Sequence, residues 1–232
     1  KLFITQYTGM KTSNKILLSL FVLPFIITVF IYASLYGKYK NGNYITKQQI
    51  ENERSTLAMT DRFTEIDLSG YRQGGVSIKH SDSFAIRIEN GNSDKIKYNT
   101  AGGKLTLMNK TEERNIWVTV YCPSFSKLSI AATNVEIDSI ALTGCLMDIG
   151  ADARVTFNGT ADSLTANIQR GSNFNLGKTA DIRLLSLHLA NGSVFNNEEG
   201  SIQQIGNLAL EDSAVLNVNG KTMRMIAEKN NP

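Results

Sequence analysis

Few side chains in this sequence can carry chemistry. Histidine occurs twice, as His80 and His188, and cysteine twice, as Cys122 and Cys145. His188 lies between Leu187 and Leu189, so in an extended strand that buries both leucines the imidazole points outward. No Ser-His-Asp or Cys-His arrangement can be built from these residues, and the chain lacks a phosphate-binding loop, a dinucleotide fingerprint and an HExxH zinc motif. Two cysteines cannot supply a paired Cys-x-x-Cys zinc site. They remain compatible with a disulfide outside the cytoplasm or with two unpaired thiols. The acidic residues offer one recurrent pattern: Thr160-Ala161-Asp162 and Thr179-Ala180-Asp181 lie 19 residues apart. If they stack, Asp162 and Asp181 are candidates to hold a hard cation such as calcium or to act as a glycosidase pair. Against this, Asn197-Glu198-Glu199 is displaced in the following unit, and Lys178 and Arg183 stand nearby. The expectation is therefore solvated corner carboxylates, with no metal, no cofactor and no catalytic residues.

The elements that position these groups are strands. After Arg62 apolar residues alternate with polar ones, as in Val76 and Ile78, Phe84, Ile86 and Ile88, and Ile116, Val118 and Val120, with glycine-rich punctuation between runs. That period of two signals half-buried strands, and no helical stripe interrupts it. From residue 127 the pattern becomes a repeat. One strand of each unit places Leu128/Ile130, Met147/Ile149, Ala166/Ile168, Leu187/Leu189 and Leu208/Leu210 in step. The next leads with Val135, Val155, Phe174, Val194 and Val215, after the small or polar turns AATN, GADAR, QRGSN, ANGS and EDSA. Units of about 20 residues that stack at the ~4.8 Å interstrand spacing would line up these apolar positions as inward ladders. The expected fold is all-β: a single-stranded parallel β-helix over residues 127–226, with the strands of 63–121 covering its first coil. Met223, Met225 and Ile226 would help close its last. Cys122 and Cys145, 23 residues apart, fall slightly out of phase with the coil. Phe125, Phe157, Phe174 and Phe195 fall on the buried alternation, which leaves no aromatic sugar platform in the repeat.

At the front, Ile16 to Tyr36 is an uncharged apolar run of 21 residues flanked by Lys11, Lys15, Lys38 and Lys40. As a helix it measures about 31 Å, the thickness of a bilayer's hydrocarbon core. Pro24 is tolerated in such a setting. The run exceeds the length of a cleaved signal peptide and lacks an A-x-A site, so an uncleaved signal anchor is expected. Met10 followed by KTSNK makes a natural translation start. The organisation read from sequence is a segment 1–15, a transmembrane helix 16–36, a linker 37–62 with a short helix around Lys47 to Ala58, a β-helical domain 63–226 and a tail 227–232. Residues 1–60 carry a charge of +5 and residues 61–232 a charge of −2. The basic excess sits at the membrane flank, and the domain lacks the clustered Lys/Arg of a nucleic-acid surface.

The stretch FTEIDLSGYRQGGVSIKHSDSFAIRIENGNSDKIKYNTAGGKLTLMNK, the segment IWVTVYCPSFSKLSIAATNVEI and the repeated units after it resemble the bacterial head GIN domain family, labelled as auto-transporter adhesins. The resemblance covers about residues 62–226 and is carried most specifically by Gly102 to Leu107 and Val118 to Pro123. It implies a β-helical domain outside the cytoplasm and brings no catalytic residues with it. The family's usual Ser-Gly-Ser-Gly turns are replaced here. A membrane-anchored, non-enzymatic interaction module of the bacterial envelope follows as the expectation, adhesin-like or accessory to an envelope complex. Its domain would lie in the periplasm or outside the cell, its partner would be an envelope protein or a surface glycan, and its flat faces would suit a homo-oligomer. The alternative is a polysaccharide-active or carbohydrate-binding β-helix using Asp162 and Asp181.

Overall fold

The computed structural model describes residues 12–42, 55–72, 74–89, 92–110, 116–197 and 199–230, in two compact units, residues 1–50 and 51–232. The first unit holds helix α1 (Thr12–Lys40), whose 29 residues rise about 43 Å. Phe21, Phe25 and Phe30 are exposed on it. Among the described residues it is the one helix long and apolar enough to cross a membrane. Pro24 sits inside the helix without ending it, and Thr28 Oγ1 donates a 2.8 Å hydrogen bond to the Pro24 carbonyl.

The second unit is mostly β. Sixteen strands form one curled sheet, built on two parallel ladders. The first ladder runs through β6 (Lys104–Asn109), β2 (Glu65–Gly70), β8 (Lys127–Ile130), β10 (Cys145–Ile149), the second part of β11 (Arg154–Ile168), β13 (Asp181–Leu189) and β15 (Ser201–Leu210). The second runs through β7 (Trp117–Cys122), β3 (Gly75–His80), β9 (Asn134–Leu142), the first part of β11, β12 (Asn173–Leu176), β14 (Val194–Asn197) and β16 (Val215–Val218). Antiparallel strands β4 (Ala85–Glu89) and β1 (Ser55–Met59) extend the second ladder, and β5 (Ile96–Ala101) extends the first.

Alternation puts every second side chain inside. Leu105, Ile66, Leu128, Met147, Ala166 and Leu187 face one another along the first ladder, all buried. Along the second, Val118, Val76, Val135, Val155, Phe174 and Phe195 do the same. Burial of each Val, Leu, Ile, Phe or Met among them contributes about 1.5–3 kcal/mol. Neighbours within a row also stack, as where the rings of Phe174 and Phe195 lie 5.6 Å apart. Four successive turns each carry one left-handed residue, Ala132 (φ 50°), Asp152 (58°), Gly171 (76°) and Gly192 (70°), a conformation that small and Asn/Asp-like residues tolerate best.

Four expectations are corrected. The ladders do not begin at residue 127: β2 and β3 are full members, with Ile66 opposite Leu128 and Val76 opposite Val135. The chain lays these strands down first and places β6 and β7 on one side of them. It then crosses to build β8 and β9 on the other, so the intervening separation hides their period. Val194 and Val215 are not in line with Phe174: Val194 faces Asn173, and the inward residues are Phe195 and Leu216. Residues 43–54 of the expected linker and short helix lie outside the described residues, and Ser55–Met59 is strand β1, where pairing with β4 outweighs local propensity. Lastly, the second unit is not wholly β. Helix α2 (Gly220–Asn230) follows β16, capped by Asn219, whose Oδ1 accepts from the Thr222 N–H at 3.0 Å. Met225 packs from it against the core, while Met223 stays exposed.

Candidate functional site

Outward side chains form rows just as the inward ones do, and the candidate groups are distributed among these rows. Asp181 faces Thr160, and Ala161 faces Ile182, so Asp162 comes level with Arg183 and the two carboxylates do not stack. The cause lies in the corner. Phe157 pairs with Leu176 across 19 residues, whereas Thr160 pairs with Asp181 across 21, because the turn at Gly177 to Ala180 takes two more residues than the one above it. Asp162 and Asp181 still line one depression of about 260 Å³, together with Thr160, Arg183 and Gln203. Gln203 Nε2 reaches Asp181 Oδ1 at 3.5 Å. The guanidinium in this depression makes it a mixed-charge surface. Among the described residues no three His, Cys, Asp or Glu side chains are grouped to hold a metal ion.

His188 is outward and exposed, facing Asn167 and Ala209. His80 is exposed as well, its Nδ1 3.2 Å from the Pro123 carbonyl oxygen. Cys122 and Cys145 are both buried and unpaired, and burial pushes each thiol up to about 12. Neither is a nucleophile at neutral pH. Phe125, Phe157, Phe174 and Phe195 are buried, as their alternation requires.

The outer face of the second ladder is more structured. Asn196 Nδ2 donates to Asn175 Oδ1 and Asn217 Nδ2 donates to Asn196 Oδ1, each at 2.7 Å, which makes a row of linked amides. Further along the same rows the amides give way to Thr156, Glu136, Ser77 and Thr119. Beside them runs a second row, Asn173, Arg154, Asn134, Gly75 and Trp117. Trp117 is 43% exposed, and its indole lies over Gly75, where a β-carbon would collide with ring atoms Cζ3, Cε3 and Cη2. The sequence carries the signal for this: in Ile116-Trp117-Val118 the two aliphatic neighbours point inward, so the tryptophan must point out. A reading confined to the repeat from residue 127 misses it.

Comparison with solved structures finds chains described as a "putative adhesin" from Bacteroides fragilis (11% identity, 71% of this chain and 96% of that one, TM-score 0.41) and a "putative adhesin" from Parabacteroides merdae (10%, 71% and 95%, TM-score 0.36). A third is described as a "putative lipid binding protein" from Parabacteroides distasonis (12%, 73% and 98%, TM-score 0.30). No curated protein matches the chain. Residues 62–225 match the model of the family described as "Putative auto-transporter adhesin, head GIN domain", and the chain belongs to that family.

Proposed function

We propose that this chain is a membrane-anchored, extracytoplasmic contact module without catalytic activity, its residues 65–218 wound as a parallel β-helix that presents flat rows of side chains to a partner. The winding is supported by the recurrence of parallel pairing, with Leu128, Met147, Ala166, Leu187 and Leu208 in successive register. Anchoring through residues 16–36 is supported by the length and apolar surface of α1. Placement in the periplasm or at the cell exterior is supported by membership of a family that fits an envelope protein. The observation that carries the functional reading is the outer surface itself: polar rows on paired strands, with no three His, Cys, Asp or Glu side chains grouped among the described residues and with the thiols buried. Such a surface is suited to recognition through many small contacts.

Crosslinking in intact cells, followed by mass spectrometry of what is held covalently to residues 63–226, tests this reading. Recovery of an envelope protein or of a surface glycan is expected. Glycan hydrolysis or lyase activity that is lost in Asp162→Ala or Asp181→Ala would replace the contact module with an enzyme.

A further inference from the structure

We infer that the outer face at Trp117 is a binding site for a neutral hexopyranose ring, the building unit of surface glycans; the inference rests on the contact-module reading and names what is contacted. Trp117 opens β7 on the outward side, and its ring is seated on Gly75 of the neighbouring strand. Gly75 lies against the indole ring, and 43% of the residue Trp117 stays exposed. An aromatic ring held open on a rigid strand keeps apolar area in water that a ligand with its own apolar face can cover.

Polar groups stand one and two strands beyond. Gly75 faces Asn134 and Ser77 faces Glu136, while Arg154 and Thr156 are the next members of the same two rows. Trp117, Asn134, Glu136, Arg154 and Thr156 line one depression of about 330 Å³. Among the described residues, the side chains of Asn134, Glu136, Arg154 and Thr156 have no hydrogen-bond or ion-pair partner, although Glu136 and Arg154 carry opposite charges on adjacent strands.

The set combines an apolar shelf, a carboxylate that accepts, a guanidinium that donates, and an amide and a hydroxyl that do both. Its complement has one apolar face, a rim of groups that both donate and accept, and no net charge. A pyranose with equatorial hydroxyls meets all three conditions, its axial C–H face on the indole and its hydroxyls toward the polar rows. An acyl chain or apolar peptide would strip water from the four polar side chains without replacing it. An anion would meet Glu136, and a cation would meet Arg154.

Trp117 is the single tryptophan of the chain, so its fluorescence reports this site alone. The full chain, held in a detergent without a sugar headgroup, is titrated with cellotriose, chitotriose and lactose to about 10 mM, well above the Kd of a weak ~1 mM binder. A saturable change in emission with at least one of them is expected. Glu136→Ala and Arg154→Ala, both at exposed positions, should weaken it about tenfold each with the circular dichroism unchanged, and Trp117→Ala should abolish the heat of binding by calorimetry. Binding that survives Trp117→Ala overturns the site. So does the absence of any signal with all three sugars; if crosslinking then still recovers an envelope protein, the contact module stands and only its sugar ligand is lost.

Discussion

At the scale of single residues, the described ion pairs are sparse, and one ties the two ends of the chain's early excursion together. Lys104 Nζ of β6 lies 2.8 Å from Asp67 Oδ2 of β2. Partial burial raises the Asp67 carboxyl, but hydrogen bonds from Lys104 and Ser69 and the Lys104 charge outweigh it, and its pKa falls below the ordinary 3.8. The pair therefore contributes in full above pH 3.8, and the contribution fades as pH falls through the lower folded value. Asp67→Asn should show a small loss of stability at pH 6 that disappears at the acid end, measured by urea denaturation across pH; a gap that widens in acid would contradict the pairing. The thiols make a second prediction at this scale. With both raised to about 12 by burial, the native chain at pH 8 should leave a thiol-specific chromogenic reagent unconsumed over minutes and react with it at two sites once unfolded. Residue types alone reveal that His188 and the phenylalanines alternate correctly, but not that Asp162 misses Asp181. That offset is set by a corner two residues longer than its neighbour, and a short Thr-Ala-Asp likeness masks it.

At the scale of elements, register is the informative quantity, since a slip of one residue turns an entire strand inside out. Sequence places Val194 in the inward row because valine leads the strand in three other units. The pairing instead puts Phe195 inside, fully buried, with Val194 opposite Asn173. Phe195→Ala should therefore cost about 3–5 kcal/mol, whereas Val194→Ala, at a half-buried outward position, should cost about 1 kcal/mol or less. Equal costs, or the reverse order, in denaturant unfolding would restore the other register. The linked amides give independent reason for the observed one, because Asn175, Asn196 and Asn217 share a row only if Phe195 follows Phe174 inside. Strand identity was thus legible from alternation, and so was the first ladder, whose apolar pairs recur in step from Leu128/Ile130 to Leu208/Leu210. The second ladder was ambiguous where Val194 and Phe195, both apolar, are adjacent. Helix α2 was not legible because Asn219-Gly220 reads equally as a turn, and only the Asn219 cap and the seat for Met225 make a helix of it.

At the scale of the whole second unit, the two ends of the ladders are closed by different means, and this sets the order in which the structure should open. At the early end β2 and β3 are held between β6 and β7 on one side and β8 and β9 on the other. Residues far apart in sequence must let go before β2 or β3 is released, while the antiparallel strands β1 and β5 outside them have one strand partner each among the described residues. At the late end β15 and β16 have one strand partner each among the described residues, β13 and β14, and there the inward Leu210 is 48% exposed while Leu216 and Val218 are only half-buried. Among the described residues the eleven-residue helix α2 comes after β16. In a stacked architecture stability is close to a sum over neighbouring rows, so the row with one neighbour and a part-exposed core should open most often. Hydrogen exchange followed by mass spectrometry should show α2, β16 and β15 exchanging first, and β2, β3 and β8 to β11 last. β2 and β3 should not fray in step with the late end, because both are interior to the sheet. Uniform exchange would mean that the sheet opens as a single unit, with the four-residue connection from β7 to β8 coupling both ends.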